Sequence, residues 1–187
     1  MGKRVSAEDQ NEAATQLVNS LTSIEGVTGE VISRTNGTQT RNIAHLQCEP
    51  ASWRKVAETM KYDHAVDHCS MITGIHWPDS SEKNWEVIYH FLRTGVTDPL
   101  ITEDGSSIIP NITEPKKLSG TEVPIEIQVN IAIPETRTPS VPSIQDIWVG
   151  ADWNEKETWD LVGIDFDGHQ SMRRVLNPHE TPPGYHP

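Results

Sequence analysis

Cysteine is nearly absent from this chain, which has only Cys48 and Cys69 among its 187 residues. Two thiols fall short of the thiolate set that holds an iron-sulphur cluster. They could pair with each other, but nothing in the chain reads as an export signal. Basic residues are the second deficit: 15 Lys and Arg stand against 27 Asp and Glu, for a formal net charge of −12. Phosphate recognition relies on clustered lysine and arginine, so nucleic acid is excluded as a partner class. Long apolar runs are missing too, and none approaches the roughly 20 residues of a membrane-spanning helix. The opening Met1-Gly2-Lys3-Arg4-Val5-Ser6 is basic but has no apolar stretch after it, so it is not a signal peptide. Met1-Gly2 with Ser6 fits the loose myristoylation pattern, yet a start codon followed by a small residue explains it as well. Asn36-Gly37-Thr38 and Asn111-Ile112-Thr113 are glycosylation sequons in form only, and Asn36-Gly37 reads better as a turn. There is no internal repeat, and the segment around His169 lacks any glycine-rich phosphate loop or nucleophile elbow.

What the chain does contain is clear periodicity. Ser6 and Asp9 make a capping-box-like start, and Ala13, Ala14, Leu17, Val18 and Leu21 recur at helical spacing. This predicts a helix over 7–22, broken by Gly26 and Gly29. Glu30–Arg34, the Asn36-Gly37 turn and Asn42–Cys48 predict a hairpin. Pro50 suits the first turn of a second helix with Trp53, Val56, Ala57 and Met60 on its buried face. Strands are expected over 65–75, weakened at Gly74, and over 85–92 after the Pro78-Asp79-Ser80-Ser81 turn. Residues 95–120 lose all periodicity and read as a surface insertion. Val123, Ile125, Ile127, Val129, Ile131 and Ile133 then alternate without exception, which predicts a strand ended by Pro134. Thr138–Ser143 reads as a linker, with Ser143 capping a short helix that carries Ile144, Ile147, Trp148 and Ala151.

The carboxyl-terminal stretch is distinctive. Three of the chain's six tryptophans, Trp148, Trp153 and Trp159, fall within twelve residues. Asp152 is placed to cap a helix, with Glu155 and Glu157 in its first turn, where carboxylates complement the amino-terminal dipole. Gly163 can stop that helix in the left-handed conformation. Ile164 and Phe166 alternate with Asp165 and Asp167, Gly168-His169 turns the chain, and Met172–Leu176 follows. Pro178, Pro182, Pro183 and Pro187 then exclude regular structure, so this tail is either disordered or laid along another protein.

Glu155-Lys156-Glu157, Asp160-Leu161, Gly163-Ile164, Phe166, Gly168-His169, Arg173-Arg174-Val175-Leu176 and Pro178 stand in an order and spacing hard to obtain by chance. In these residues the chain resembles the C-subunit family of respiratory complex I (NADH-quinone oxidoreductase), including its archaeal F-420 dehydrogenase relatives. The resemblance extends more loosely over Asp63-His64 before Asp67, Ile72-Thr73-Gly74-Ile75, Val87-Ile88-Tyr89-His90 and Pro139-Ser140-Val141. Two departures stand out. Lys156 replaces the family's arginine, which weakens any bidentate carboxylate pairing there. The closing Gly184-Tyr185-His186-Pro187 carries one residue more between glycine and histidine than the family pattern.

Sharper readings of single residues compete with plain ones. His64, His68 and Cys69, with Cys48 from the hairpin, are the best metal candidates, but metal sites need converging donors, and locally bonded histidines explain them as well. His169 beside Asp165 and Asp167 could act as an acid-base group, yet that requires a pocket and a bound substrate. Glu155, Glu157 and Asp160 against Arg173 and Arg174 are either a solvated helix face or charges bonded at a subunit boundary, where arginine and tryptophan are enriched. The nearby tryptophans favour the boundary, with Trp153, Trp159, Phe166 and the arginine pair at its centre.

The expected fold is α+β: a mainly antiparallel sheet with two helices on one face, plus a C-terminal helix and an extended proline-rich docking arm. Residues 1–134 form the domain, with an insertion at 95–121, and 135–187 form linker, helix and arm. The resemblance implies a peripheral-arm subunit on the cytoplasmic side of the membrane, without cofactor or catalytic residue of its own. It would clamp the quinone-site subunit and the iron-sulphur subunits, while iron-sulphur clusters and flavin or deazaflavin reside in those partners. Its interface would comprise Trp153, Glu155, Glu157, Trp159, Asp160, Gly163, Phe166, Gly168, His169, Arg173, Arg174, Leu176, Pro178, His186 and Pro187. The donor is NADH, reduced F-420 or ferredoxin, and related subunits occur in membrane-bound hydrogenases. The alternatives from other classes are a small free-standing enzyme using His169 or the His64/His68 pair, and an adaptor unrelated to respiration.

Overall fold

The computed structural model describes residues 6–37, 39–78, 84–95, 123–134 and 136–181. The 95–121 insertion beyond Gly95, and the end of the arm with His186 and Pro187, lie outside the described residues. The first helix, α1 (Ala7–Leu21), opens with the expected reciprocal cap: Asp9 N donates to Ser6 Oγ (3.0 Å) and Ser6 N to Asp9 Oδ2 (3.0 Å). Its apolar stripe is wholly buried. A hairpin follows, β1 (Val27–Asn36) and β2 (Gln39–Cys48), turning at Gly37 with φ 61°. Helix α2 (Pro50–Tyr62) places Pro50 in its first turn, where no intrahelical amide is needed, and buries Trp53, Val56, Ala57 and Met60.

The strands β3 (His68–His76), β4 (Trp85–Arg93) and β5 (Ile125–Ile133) complete a five-stranded sheet of order β1-β2-β5-β4-β3. All pairs are antiparallel except β2 with β5, where Leu46 lies opposite Val129. One face of the sheet is the core: Ala44, Leu46, Val87, Tyr89, Phe91, Ile127, Val129 and Ile131 are buried. On that face Trp53 of α2 packs against Tyr89, ring centroids 4.4 Å apart. The opposite face carries Glu126, Gln128, Asn130 and His90, in keeping with period-two alternation.

Four expectations are corrected. The third strand begins at His68, because Ala65 has a φ of 51° and Val66 N bonds back to Met60 O, so 63–67 is a turn leaving α2. The supposed linker contains a strand, β6 (Ser140–Pro142), paired in parallel with β7 (Asp165–Asp167). Residues 144–150 make successive turns rather than a helix, and bury Ile144, Ile147 and Trp148. The third helix, α3 (Ala151–Val162), is preceded by Gly150 and not capped by Asp152, which lies inside its first turn.

Helix α3 covers the core face at the β3 edge. Gly74 lies opposite the buried Val87, and a Cβ built there would sit 2.6 Å from Thr158 Cγ2 and 3.1 Å from Ile164 Cδ1. Glycine is required here for close approach. Thr158 Oγ1 donates to Ile72 O (3.3 Å), fastening the helix to the strand.

Candidate subunit-docking site

Helix α3, β7 and the segment that leaves them hold nearly all of the suspected interface residues. The helix stops as expected: Gly163 takes a φ of 85° and its amide bonds to Trp159 O (3.0 Å). Phe166 is buried from β7, and Gly168, φ 85°, turns the chain with open space where a side chain would be.

Two carboxylates point inward from α3. Glu155 is fully buried, accepting from Ser143 Oγ (2.6 Å) and Ile144 N (2.8 Å). Burial pushes its carboxyl up to about 7 against those two bonds, and the charges of Asp152 and Asp146 add to the rise. His169, its side chain almost wholly enclosed, places Nε2 3.2 Å from Asp152 Oδ1 and 3.9 Å from Glu155 Oε2. Ser171 N donates to its Nδ1 (3.2 Å), while the buried Nε2 makes no hydrogen bond. Lys156 is buried and donates to both oxygens of Asp152 (2.8 and 2.7 Å), with its ammonium 5.8 Å from the centre of the Trp153 ring. Lys156 thus holds Asp152 through both carboxylate oxygens.

Asp160 is also fully buried and gathers the chain that follows β7. Its Oδ2 accepts from three consecutive amides, Val175 (2.9 Å), Leu176 (2.8 Å) and Asn177 (2.9 Å). Its Oδ1 accepts from Arg174 Nη1 (2.7 Å) and Asn177 Nδ2 (3.0 Å). Burial alone would raise this carboxyl, but the bonds from Leu176, Asn177 and Arg174 outweigh it and hold the group well below the usual carboxylate range. Arg174 also lies over the Trp159 ring, 5.4 Å from its centre.

The suspected interface residues therefore divide. Glu155, Asp160, His169 and Arg174 turn inward and bond within the chain, Phe166 packs in the core, and Trp159 and Gly163 are half-buried. Trp153 (56% exposed), Glu157, Gly168, Arg173, Leu176 (58% exposed) and Pro178 face outward. Trp153, Glu157 and Leu161 recur every four residues, so they share the outer face of α3. Sequence reasoning missed Ser143 and Asn177 as partners of the two carboxylates. A serine before an apolar run and an asparagine before a proline are too common to signal such roles.

The metal candidates diverge. His64 Nε2 bonds to Ser20 Oγ (2.8 Å), His68 is exposed, and Cys69 faces the core. Cys48 and Cys69 stand on strands separated by β5 and β4, roughly 14 Å at the usual strand spacing, too far for a disulfide. Both are free and buried, and burial pushes each thiol up to about 12. Among the described residues no three His, Cys, Asp or Glu side chains converge. No helix among them is long and apolar enough to cross a membrane.

An α+β domain whose last helix clasps its own exit segment and leaves tryptophan and leucine exposed is built like a docking module. Residues 46–187 match the family described as respiratory-chain NADH dehydrogenase, 30 Kd subunit, and the chain belongs to that family. It is 27% identical over 129 residues to the C subunit of the NADH-quinone oxidoreductase of Nocardioides sp., spanning 68% of this chain and 40% of that one. With the corresponding C subunit of Methylobacillus flagellatus it shares 24% identity over 164 residues, 82% of this chain and 66% of the relative. The matched region is thus less than half of the first relative and about two thirds of the second. Among solved structures, a trypsin-resistant fragment of Nqo5 superposes with a TM-score of 0.51 at 20% identity, covering 85% of this chain and 98% of that one. A chain of the membrane-bound sulfane sulfur reductase, an archaeal respiratory membrane complex, gives 0.58 at 18%, covering 89% and 75%. At these identities the two structures speak for the fold.

Proposed function

We propose that this chain is a peripheral docking subunit of an NADH-quinone oxidoreductase-type complex, held against the membrane arm only through other subunits. It contributes structure rather than chemistry: electron transfer and quinone reduction belong to the assembly. The quinone-site subunit and the iron-sulphur subunits are its partners, on the cytoplasmic side. The observation that carries this reading is the 153–178 block. Its inward charges are bonded inside the chain, while Trp153, Leu161 and Leu176 remain exposed. Large apolar side chains fixed on a rigid surface are what a protein interface uses as anchors.

The test is to tag the chain in its native cells, solubilise membranes gently and identify what co-purifies. Iron-sulphur subunits together with a membrane arm are the expected result, and the input subunit among them would name the electron donor. A lone chain recovered from the soluble fraction, without redox partners, would overturn the proposal.

A further inference from the structure

The stretch 173–178 combines features that rarely coexist. It has no helix or strand, yet three consecutive amides, those of Val175, Leu176 and Asn177, converge on one oxygen of a fully buried carboxylate. Such a concave run of amides is the geometry that ordinarily captures an external anion. Here it is filled by the chain's own Asp160, while Arg174 and the Asn177 side chain hold the other oxygen. Between these fixed points Leu176 stands outward at 58% exposure, and Arg173 is exposed beside it, paired with no acid among the described residues. A leucine on an otherwise mobile loop would lose much entropy on docking. One whose own amide and both neighbouring amides are already bonded to a buried charge loses little.

We infer that Asp160 is a positioning clasp that presents Leu176, flanked by Arg173, as a preformed ridge for an apolar socket bordered by carboxylate on a partner subunit. The inference rests on the docking-subunit reading and narrows it to one ridge and one socket chemistry. A protein socket fits better than a lipid surface, because one leucine flanked by one arginine is a weak membrane anchor, whereas a shaped socket encloses a fixed leucine. The socket is acidic at its rim because the ridge offers an exposed cation, and such rim charges set orientation and encounter rate. Asp160 and Arg174 act through the ridge and do not touch the partner.

The experiment uses the full tagged chain in native membranes. Leu176→Asp and Arg173→Glu lie on the surface and are expected to leave the melting temperature of the purified chain unchanged. Leu176→Asp should lower the co-purified iron-sulphur subunits about tenfold or more, as for a central anchor, and Arg173→Glu should lower them less. Asp160→Asn should speed hydrogen exchange at the amides of 175–177 about tenfold and reduce co-purification alongside. Wild-type recovery by Leu176→Asp would overturn the ridge while leaving the docking-subunit reading intact. Unchanged exchange at 175–177 in a folded Asp160→Asn would overturn the clasp. Leu176-dependent flotation of the wild-type chain with phosphatidylglycerol vesicles alone would overturn the protein socket. Failure of the wild-type chain to retain any redox subunit would instead sink the underlying function.

Discussion

Two carboxylates five residues apart on α3 are both closed to solvent yet shift in opposite directions, because Glu155 lies deeper in the protein and Asp160 gathers more donors. Asp160 collects amides, a guanidinium and a carboxamide, so its charged form is held. It contributes stability above the ordinary value of 3.8 that is lost as pH falls toward the depressed folded value. Glu155 has a hydroxyl and one amide, burial prevails, and its carboxyl rises from 4.5 to about 7. Because the folded state then binds the proton more tightly than the unfolded one, the Glu155 contribution is complete below pH 4.5 and is lost as pH rises through 7. Glu155→Gln should therefore flatten the decline in melting temperature between pH 5 and 8. The gap in stability between variant and wild type should move toward the variant by up to about 3 kcal/mol over that range. Parallel curves for the two proteins would show that Glu155 does not govern the window. Asp160→Ala should cost about 3–5 kcal/mol in chemical denaturation at neutral pH, since it deprives the buried Arg174 of its carboxylate. A loss below about 1 kcal/mol would mean that solvent replaces the clasp. The residue types in this block were legible in the sequence, but the direction in which they point was not. Arg174 lies fourteen residues after Asp160 and across the Gly163 stop, so no helical or strand period brings the pair together.

Elements were legible wherever a side-chain period belongs to the element itself. The unbroken alternation of β5 and the capping box of α1 needed no partner to be seen. Strand β6 is different: it is three residues long, with Pro139 before it and Pro142 at its end. It exists because β7 lies beside it, with Val141 opposite Phe166 and both side chains buried. That dependence on a partner distant in sequence is why the stretch read as a linker. Gly74 seemed a flaw in a strand and is instead the contact point of two elements. Gly74→Ala should cost about 1–3 kcal/mol, because the added carbon would sit 2.6 Å from Cγ2 of the buried, β-branched Thr158 and 3.1 Å from Ile164 Cδ1. Equilibrium unfolding in urea measures this directly, and Gly74→Val should be worse. If alanine is neutral, α3 is free to move away from β3 and the close packing is not required.

At the scale of the whole molecule, the charge and the exposed aromatics have to be reconciled. Twelve excess negative charges disfavour self-association, yet the chain holds a tryptophan more than half exposed on its last helix. Trp153 and Trp159 separate the costs of folding and of assembly. Trp159 is half-buried, packs against the core and lies beneath Arg174, so Trp159→Ala should destabilise the isolated chain by about 2–3 kcal/mol and lower incorporation as a consequence. Trp153 is exposed and its ring faces the Lys156 ammonium only at 5.8 Å, so Trp153→Ala should change the stability of the isolated chain by less than about 0.5 kcal/mol. If the outer face of α3 is covered in the assembly, the same substitution should weaken incorporation by about 2 kcal/mol, near thirtyfold. Thermal melts of the two purified variants, set beside their recovery in the solubilised complex, give the four numbers needed. A Trp153 variant that folds and assembles like the wild type would remove α3 from the interface and leave docking to the segment beyond it. A variant that melts normally but fails to assemble would mean that this face, and not only the exit segment, is covered by a neighbour.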